Sequence, residues 1–378
     1  MRIAFDISAY EQGSFGIGTY IKNLILAIMT LEPENNYILT SFPGFSWKLR
    51  ANNVFQMPGI RFFRFPYVPR NVLNKLWNKY KLFPLDAAIG QFDVYHGLSF
   101  DIPHVRYAKT VLTVHDVAWL FFPEENNKSL RFINRWLPSN LESADRIIAV
   151  SQSTKNDLIH YFNVQPEKIS VIYEAGNPQL SFPVEESYCK TVRKKYRINS
   201  PYILSVGNLE PRKNISTLLI GFSRFQKKYS EYSLVLVGNK DADYGRLQSL
   251  ANDLNILNKV NFTGYVSNSE LGVLYKGASL FVYPSLYEGF GLPLLEAMSC
   301  STPVIASNTP SLIEIGADGA HYFDPLDPEA LTETMLKLIE DHDLSSNMRE
   351  KGLERNKLFS WENSATKTLS IYSSLFNN

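Results

Sequence analysis

Short apolar runs rich in β-branched and aromatic residues recur along the chain, each closed by glycine, proline or polar residues. In the first half they read RIAFDIS (from Arg2), YILTSF (Tyr37), IRFFRFP (Ile60), VYHG (Val94), KTVLTVHD (Lys109), RIIAVS (Arg146) and ISVIY (Ile169). A polar break with two prolines, NPQLSFPVEES from Asn177, interrupts the series. It restarts with YILSVGN (Tyr202), YSLVLVGN (Tyr232), VNFTGYV (Val260), LFVYPS (Leu280), PVIAS (Pro303) and HYFDP (His321). Between the runs, segments such as NISTLLIGFSRFQKKYS from Asn214 carry apolar residues at helical spacing. Strand–helix alternation predicts parallel sheets covered by helices. Two such series around one break predict an α/β protein of two doubly wound, Rossmann-like domains, 1–180 and 196–360. The segment SWENSATKTLSIYSSL from Ser360 reads as an amphipathic helix, and 361–378 is expected to pack back on the first domain. Doubly wound sheets bind ligands at the carboxyl ends of their strands. The expected site is the cleft that the two sheets face.

With 378 residues the chain is long enough for two substantial cores. No apolar stretch approaches the roughly 18–20 residues of a membrane span. Asp6 breaks the first apolar run, so no signal peptide is expected there. Cys189 and Cys300 lack metal-ligand spacing and are too few for a disulfide framework. A cytoplasmic protein without metal follows as the expectation. The net charge of +1 conceals an asymmetry: residues 35–85 carry eight Lys and Arg and no Asp or Glu, which leaves the remainder at 1 − 8 = −7. Aromatic residues interleave the cations, among them Trp47, Phe55, Phe62, Phe63, Phe65, Tyr67, Trp77, Tyr80 and Phe83. That mixture suits an anionic membrane surface. A solvated rim with several of the aromatics in the core is the competing reading, and nucleic acid is not expected as a partner.

The densest chemistry lies in YPSLYEGFGLPLLEAM, from Tyr283, where a strand run ends in a glycine turn that opens a helix. Glu288 and Glu296 bracket the turn with seven residues between them. A helix N-terminus offers backbone N–H groups to an anion, here those of Phe290, Gly291 and Leu292. Carboxylates instead accept from hydroxyls, and together these groups suit a sugar nucleotide. Upstream, SVGNLEPRKN places Arg212 and Lys213 just before a helix, a pair suited to clamp a diphosphate. Tyr265 and Val266, past the run from Val260, are placed to read a base edge. In the first half, Gly13, Gly16 and Gly18 follow the opening strand and precede a helix expected to run to about Leu31; Gly16 and Gly18 let backbone approach a phosphate or sugar, although Ile21 breaks the dinucleotide fingerprint GxGxxG. His115 ends KTVLTVHD and suits a donor-sugar hydroxyl, with Asp116 available to orient it through the other ring nitrogen. His96 ends VYHG, on the edge expected to face the acceptor.

These motifs together resemble family 4 of the retaining, nucleotide-sugar-dependent glycosyltransferases, which have the GT-B fold. The likeness runs from GIGTY (Gly16) through TVHD (Thr113), LEPRKN (Leu209) and the E-x7-E element to FSWE (Phe359). The segment VYHGLSFDIPHVRYAKTVLTVHD is most similar to bacterial mannosyl- and rhamnosyltransferases of surface polysaccharide assembly. The resemblance implies that Arg212 and Lys213 hold the diphosphate, that Glu288 and Glu296 hold donor sugar and ribose, and that His115 lies beside the donor sugar. It implies no metal and no cofactor, the nucleotide sugar being a co-substrate, with GDP-mannose as the expected donor. It further implies a saccharide or lipid-linked acceptor and a location on the inner face of the membrane. Two positions depart from the family: Asn208 stands where many members carry Arg, and Ser301 replaces a glycine after the E-x7-E helix. A sugar-nucleotide epimerase of the same architecture and a non-catalytic nucleotide-sugar-binding protein are the rival readings.

Overall fold

A computed structural model describes residues 1–12, 15–42, 54–55, 59–65, 72–73, 75–123, 128–240 and 243–376. Each of the thirteen apolar runs contains a strand. In order these are β1 (Arg2–Asp6), β2 (Asn36–Ser41), β3 (Ile60–Arg64), β4 (Val94–Gly97), β5 (Lys109–Val114), β6 (Arg146–Ala149) and β7 (Ile169–Val171). They continue with β8 (Tyr202–Val206), β9 (Ser233–Val237), β10 (Val260–Gly264), β11 (Leu280–Tyr283), β12 (Val304–Ser307) and β13 (His321–Phe323). Two units form: Met1–Glu174 with Ser360–Asn378, and Ala175–Phe359.

The first unit holds a parallel sheet in the order β3-β2-β1-β4-β5-β6-β7. Strand order reverses between β1 and β4, so the chain winds outward in both directions from that point. The helix Trp361–Ser374 belongs to this unit. Ser360 caps its start by accepting from Asn363 N at 3.1 Å. Ser364 Oγ donates to Tyr173 O at 2.6 Å, and Trp361 meets Tyr20 edge-on at 5.8 Å.

The second unit holds a parallel sheet in the order β10-β9-β8-β11-β12-β13, with its reversal between β8 and β11. β8, β9 and β11 are almost wholly apolar because helices cover both faces. Leu218, Leu219, Phe222 and Phe225 of the helix Ile215–Phe225 pack with Leu234, Leu236, Leu331 and Met335. At the carboxyl edge Gly238 runs so close to the β8 loop that a Cβ there would meet Gly207 O at 1.9 Å. No side chain fits, and the strand-end loops are drawn together.

The basic stretch is not a uniform free surface among the described residues. Arg64 donates to the buried Glu11 through Nη2 at 2.8 Å and Nε at 3.3 Å, a bidentate pair that spends its charge internally. Phe55 and Trp77 are core residues, and Phe65 stacks on Phe42 at 4.8 Å. Lys75, Tyr80, Lys81, Leu82 and Phe83 are exposed, Phe83 at 72%. Lys48, Arg50, Arg70, Trp47 and Tyr67 lie outside the described residues. Among the described residues no helix is long and apolar enough to cross a membrane.

Candidate active site

In the second unit the expected clamp and the glycine turn converge. Lys213 and Arg212 follow β8, and Glu288 follows β11, the two strands that flank the reversal in strand order. Pro211–Lys213 forms one short helical turn, and Arg212 O accepts from Leu286 N at 2.8 Å, which ties the two loops by backbone. Lys213 Nζ, on a residue 8% exposed, donates to Glu288 Oε1 and to Tyr283 Oη at 3.2 Å. Arg212 reaches Glu288 Oε2 at 3.2 Å and Glu210 Oε2 at 3.3 Å. The Lys213 stem lies alongside Gly207, where a Cβ would be in ordinary contact with its Cε at 3.5 Å. Asn208, just beyond, accepts through its carbonyl from Glu210 N at 2.9 Å.

Burial alone would raise the Glu288 carboxyl, but the charges of Lys213 and Arg212 outweigh it and hold it at about 2. Lys213 stands differently. Burial, and after it the charge of Arg212, lowers it below the ordinary lysine value, and the ion pair recovers only part. Glu288 is therefore ionised at neutral pH, held between Lys213 and Arg212.

The helix Leu292–Ser299 starts at Gly291, whose φ of +106° is the left-handed conformation that favours glycine. A Cβ there would also meet Leu312 Cδ2 at 2.7 Å. Pro293 has no N–H and Leu294 N bonds Gly291 O at 3.0 Å, so Leu292 N–H is the donor of the first turn without an intrahelical partner. Phe290 is buried and meets Phe359 edge-on at 5.9 Å. Glu296 lies midway along this helix, its Oε2 accepting from Tyr275 Oη at 3.1 Å. Burial pushes its carboxyl up to about 7, and the tyrosine bond offsets only part of that. Two carboxyl groups on one turn thus differ: Glu288 is a fixed anion, and Glu296 gains or loses a proton near neutrality. Tyr265 is 60% exposed and Val266 is buried, both just past β10 on the same carboxyl edge.

The first unit places its candidates otherwise. Gly16 and Gly18 lie inside the helix Phe15–Leu31 rather than before it. A Cβ on Gly18 would lie 3.7 Å from Tyr10 Cα, an ordinary contact, while one on Gly16 would enter open space. Gly13 lies outside the described residues. His96 is wholly buried and so does not face an acceptor. It is a core histidine, with Nδ1 2.5 Å from Tyr372 Oη and Nε2 2.8 Å from Thr113 Oγ1. Burial and the charge of His115 push it down to about 3.

His115 sits at the carboxyl end of β5, but Asp116 does not orient it. Asp116 Oδ1 accepts from Ala118 N at 3.0 Å and so turns the following segment. The orienting carboxylate is Glu174, with Oε1 2.8 Å from His115 Nδ1. Nothing in the spacing of the sequence singles out Glu174. Tyr283 and Tyr275, which brace the two site glutamates, were also missed. Tyr283 ends its strand run and could have been found by position.

The family described as Glycosyl transferases group 1 matches residues 190–355, and Glycosyltransferase Family 4 matches residues 16–179. The chain is 35% identical over 282 residues to O-antigen chain mannosyltransferase B of Escherichia coli, covering 74% of each. It is 35% identical over 241 residues to O-antigen chain mannosyltransferase RfbU of Salmonella typhimurium, covering 63% of this chain and 62% of that one. Among solved structures, sucrose-phosphate synthase from Thermosynechococcus elongatus superposes with a TM-score of 0.77 at 23% identity, over 100% of this chain and 99% of that one.

Proposed function

The chain belongs to glycosyltransferase family 4, a hexosyltransferase with the GT-B fold, and on that footing we propose that it transfers mannose from GDP-mannose to a saccharide or lipid-linked acceptor of surface polysaccharide. The observation that carries the donor site is the convergence of Arg212, Lys213 and Glu288 at the carboxyl ends of β8 and β11. Two cations and the Leu292 N–H meet the diphosphate, whose charge grows as the glycosidic bond breaks. Glu288 and Glu296 accept from donor-sugar and ribose hydroxyls. The reaction retains configuration by front-face attack, the departing phosphate taking the acceptor proton, with neither metal nor cofactor. Mannose as the sugar is supported by the O-antigen mannosyltransferase relatives, and GDP as its carrier is the expectation that the family resemblance gives. In a thermal-shift panel GDP is expected to raise Tm more than UDP, dTDP or ADP, because bound ligand stabilises by mass action. Transfer from GDP-[14C]mannose to a lipid-linked oligosaccharide completes the test. Turnover of the donor with no acceptor present would replace this reading by the epimerase.

The exposed group Lys75, Tyr80, Lys81, Leu82 and Phe83 supports contact with an anionic membrane surface. Each cation there contributes about 1 kcal/mol. Lys75→Gln with Lys81→Gln and Phe83→Ser is expected to abolish co-sedimentation with phosphatidylglycerol vesicles at low salt. Unchanged co-sedimentation removes the membrane contact and leaves the transferase reading untouched.

A further inference from the structure

Both ring nitrogens of His115 are engaged. Nε2 lies 2.9 Å from Leu98 O, and a carbonyl oxygen only accepts, so Nε2 carries its hydrogen. Nδ1 lies 2.8 Å from Glu174 Oε1. Glu174 is 4% exposed and His115 7%, so water competes weakly for either. We propose that Glu174 is a positioning residue for sugar transfer, holding the His115 ring with both N–H groups in place as a fixed cation and not as a proton acceptor.

Several groups face this ring from the elements around it. Tyr20, from the helix Phe15–Leu31, meets it edge-on at 4.7 Å, and Phe100 does so at 5.6 Å. His96 on β4 is neutral, for the reasons given above. Asp116 adds a second negative charge nearby. Thr154 Oγ1 donates to the His115 carbonyl at 3.3 Å and fixes the backbone. Burial would lower the His115 imidazole, but the hydrogen bond and charge of Glu174 raise it above the ordinary histidine value. The sign follows. The ion pair stabilises fully below the unfolded value of about 6.5 and is lost as pH rises through the folded value. A histidine so held cannot take the acceptor's proton, which fits a reaction in which the leaving phosphate takes it.

This inference rests on the reading of His115 as a donor-side residue, and its test separates the two. In wild-type protein with 15N-labelled histidine, the signal assigned to His115 by its loss in His115→Ala is expected to show two protonated nitrogens at pH 7. Glu174→Gln keeps the shape and removes the charge. It is expected to leave His115 neutral at pH 7, and to move the alkaline limb of kcat downward by about 1–3 pH units, the usual reach of one opposed charge. A neutral wild-type ring at pH 7 overturns the proposal, whether or not Glu174→Gln folds. So does a Glu174→Gln protein that is less stable but keeps the wild-type limb. Failure of transfer with every donor would sink the function while leaving the ring's protonation measurable.

Discussion

Lys213→Ala is expected to lower kcat/KM by roughly 10²–10³, the order of losing one preorganised charge at a developing anion. Lys213 Nζ is held by Glu288 and Tyr283 on the carboxyl edge, so its position is set before any donor arrives. That preorganisation makes the loss fall on kcat more than on KM, because the diphosphate charge is larger in the transition state than in the bound donor. Lys213→Arg should not restore activity. A planar guanidinium presents different geometry from the point charge that Glu288 and Tyr283 hold. A change below threefold, measured with a functional acceptor, would mean that the pair does not clamp the leaving group.

Glu288→Ala carries the largest expected cost in stability. It removes the carboxylate that Lys213, buried, is paired with and one of the two that Arg212 holds. Breaking such a pair costs about 3–5 kcal/mol, here toward the lower end because Arg212 keeps Glu210 at 3.3 Å. Since the Glu288 carboxyl is held at about 2, its contribution is complete above the unfolded value of about 4.3 and disappears as pH falls toward 2. Urea unfolding of the wild type should therefore weaken between those values, while Glu288→Gln should weaken less there. Equal acid sensitivity of the two proteins would show that Glu288 contributes nothing through its charge.

Much of this was legible in the sequence because it is local. A buried parallel strand reads as an apolar run bounded by turn residues, and the central strands β1, β4, β5, β8, β9, β11 and β12 are of that kind, while the edge strands β3 and β10 are only partly buried. The glycine turn at Gly291 and the two cations before Asn214 are also local, and the fold brings them together because β8 and β11 lie side by side at the reversal of the sheet. What escaped was pairing across long separations. Glu174 stands 59 residues from His115, Glu11 stands 53 from Arg64, and His96 meets Tyr372 across 276. Each is a buried polar group that needs a partner, and spacing does not reveal which partner the fold supplies. His96 shows the consequence: the end of a strand suggested a surface role, and only the return of the last helix explains its burial.

That returning helix also bears on how the protein is made. Trp361 and Tyr372 complete the interior of a unit whose other residues end at Glu174. As the chain leaves the ribosome, residues 175–359 have everything their own sheet requires before the opening unit receives its final layer. The covering of His96 and of the edge of Tyr20 therefore waits until the helix Trp361–Ser374 has emerged, after every residue of the second sheet.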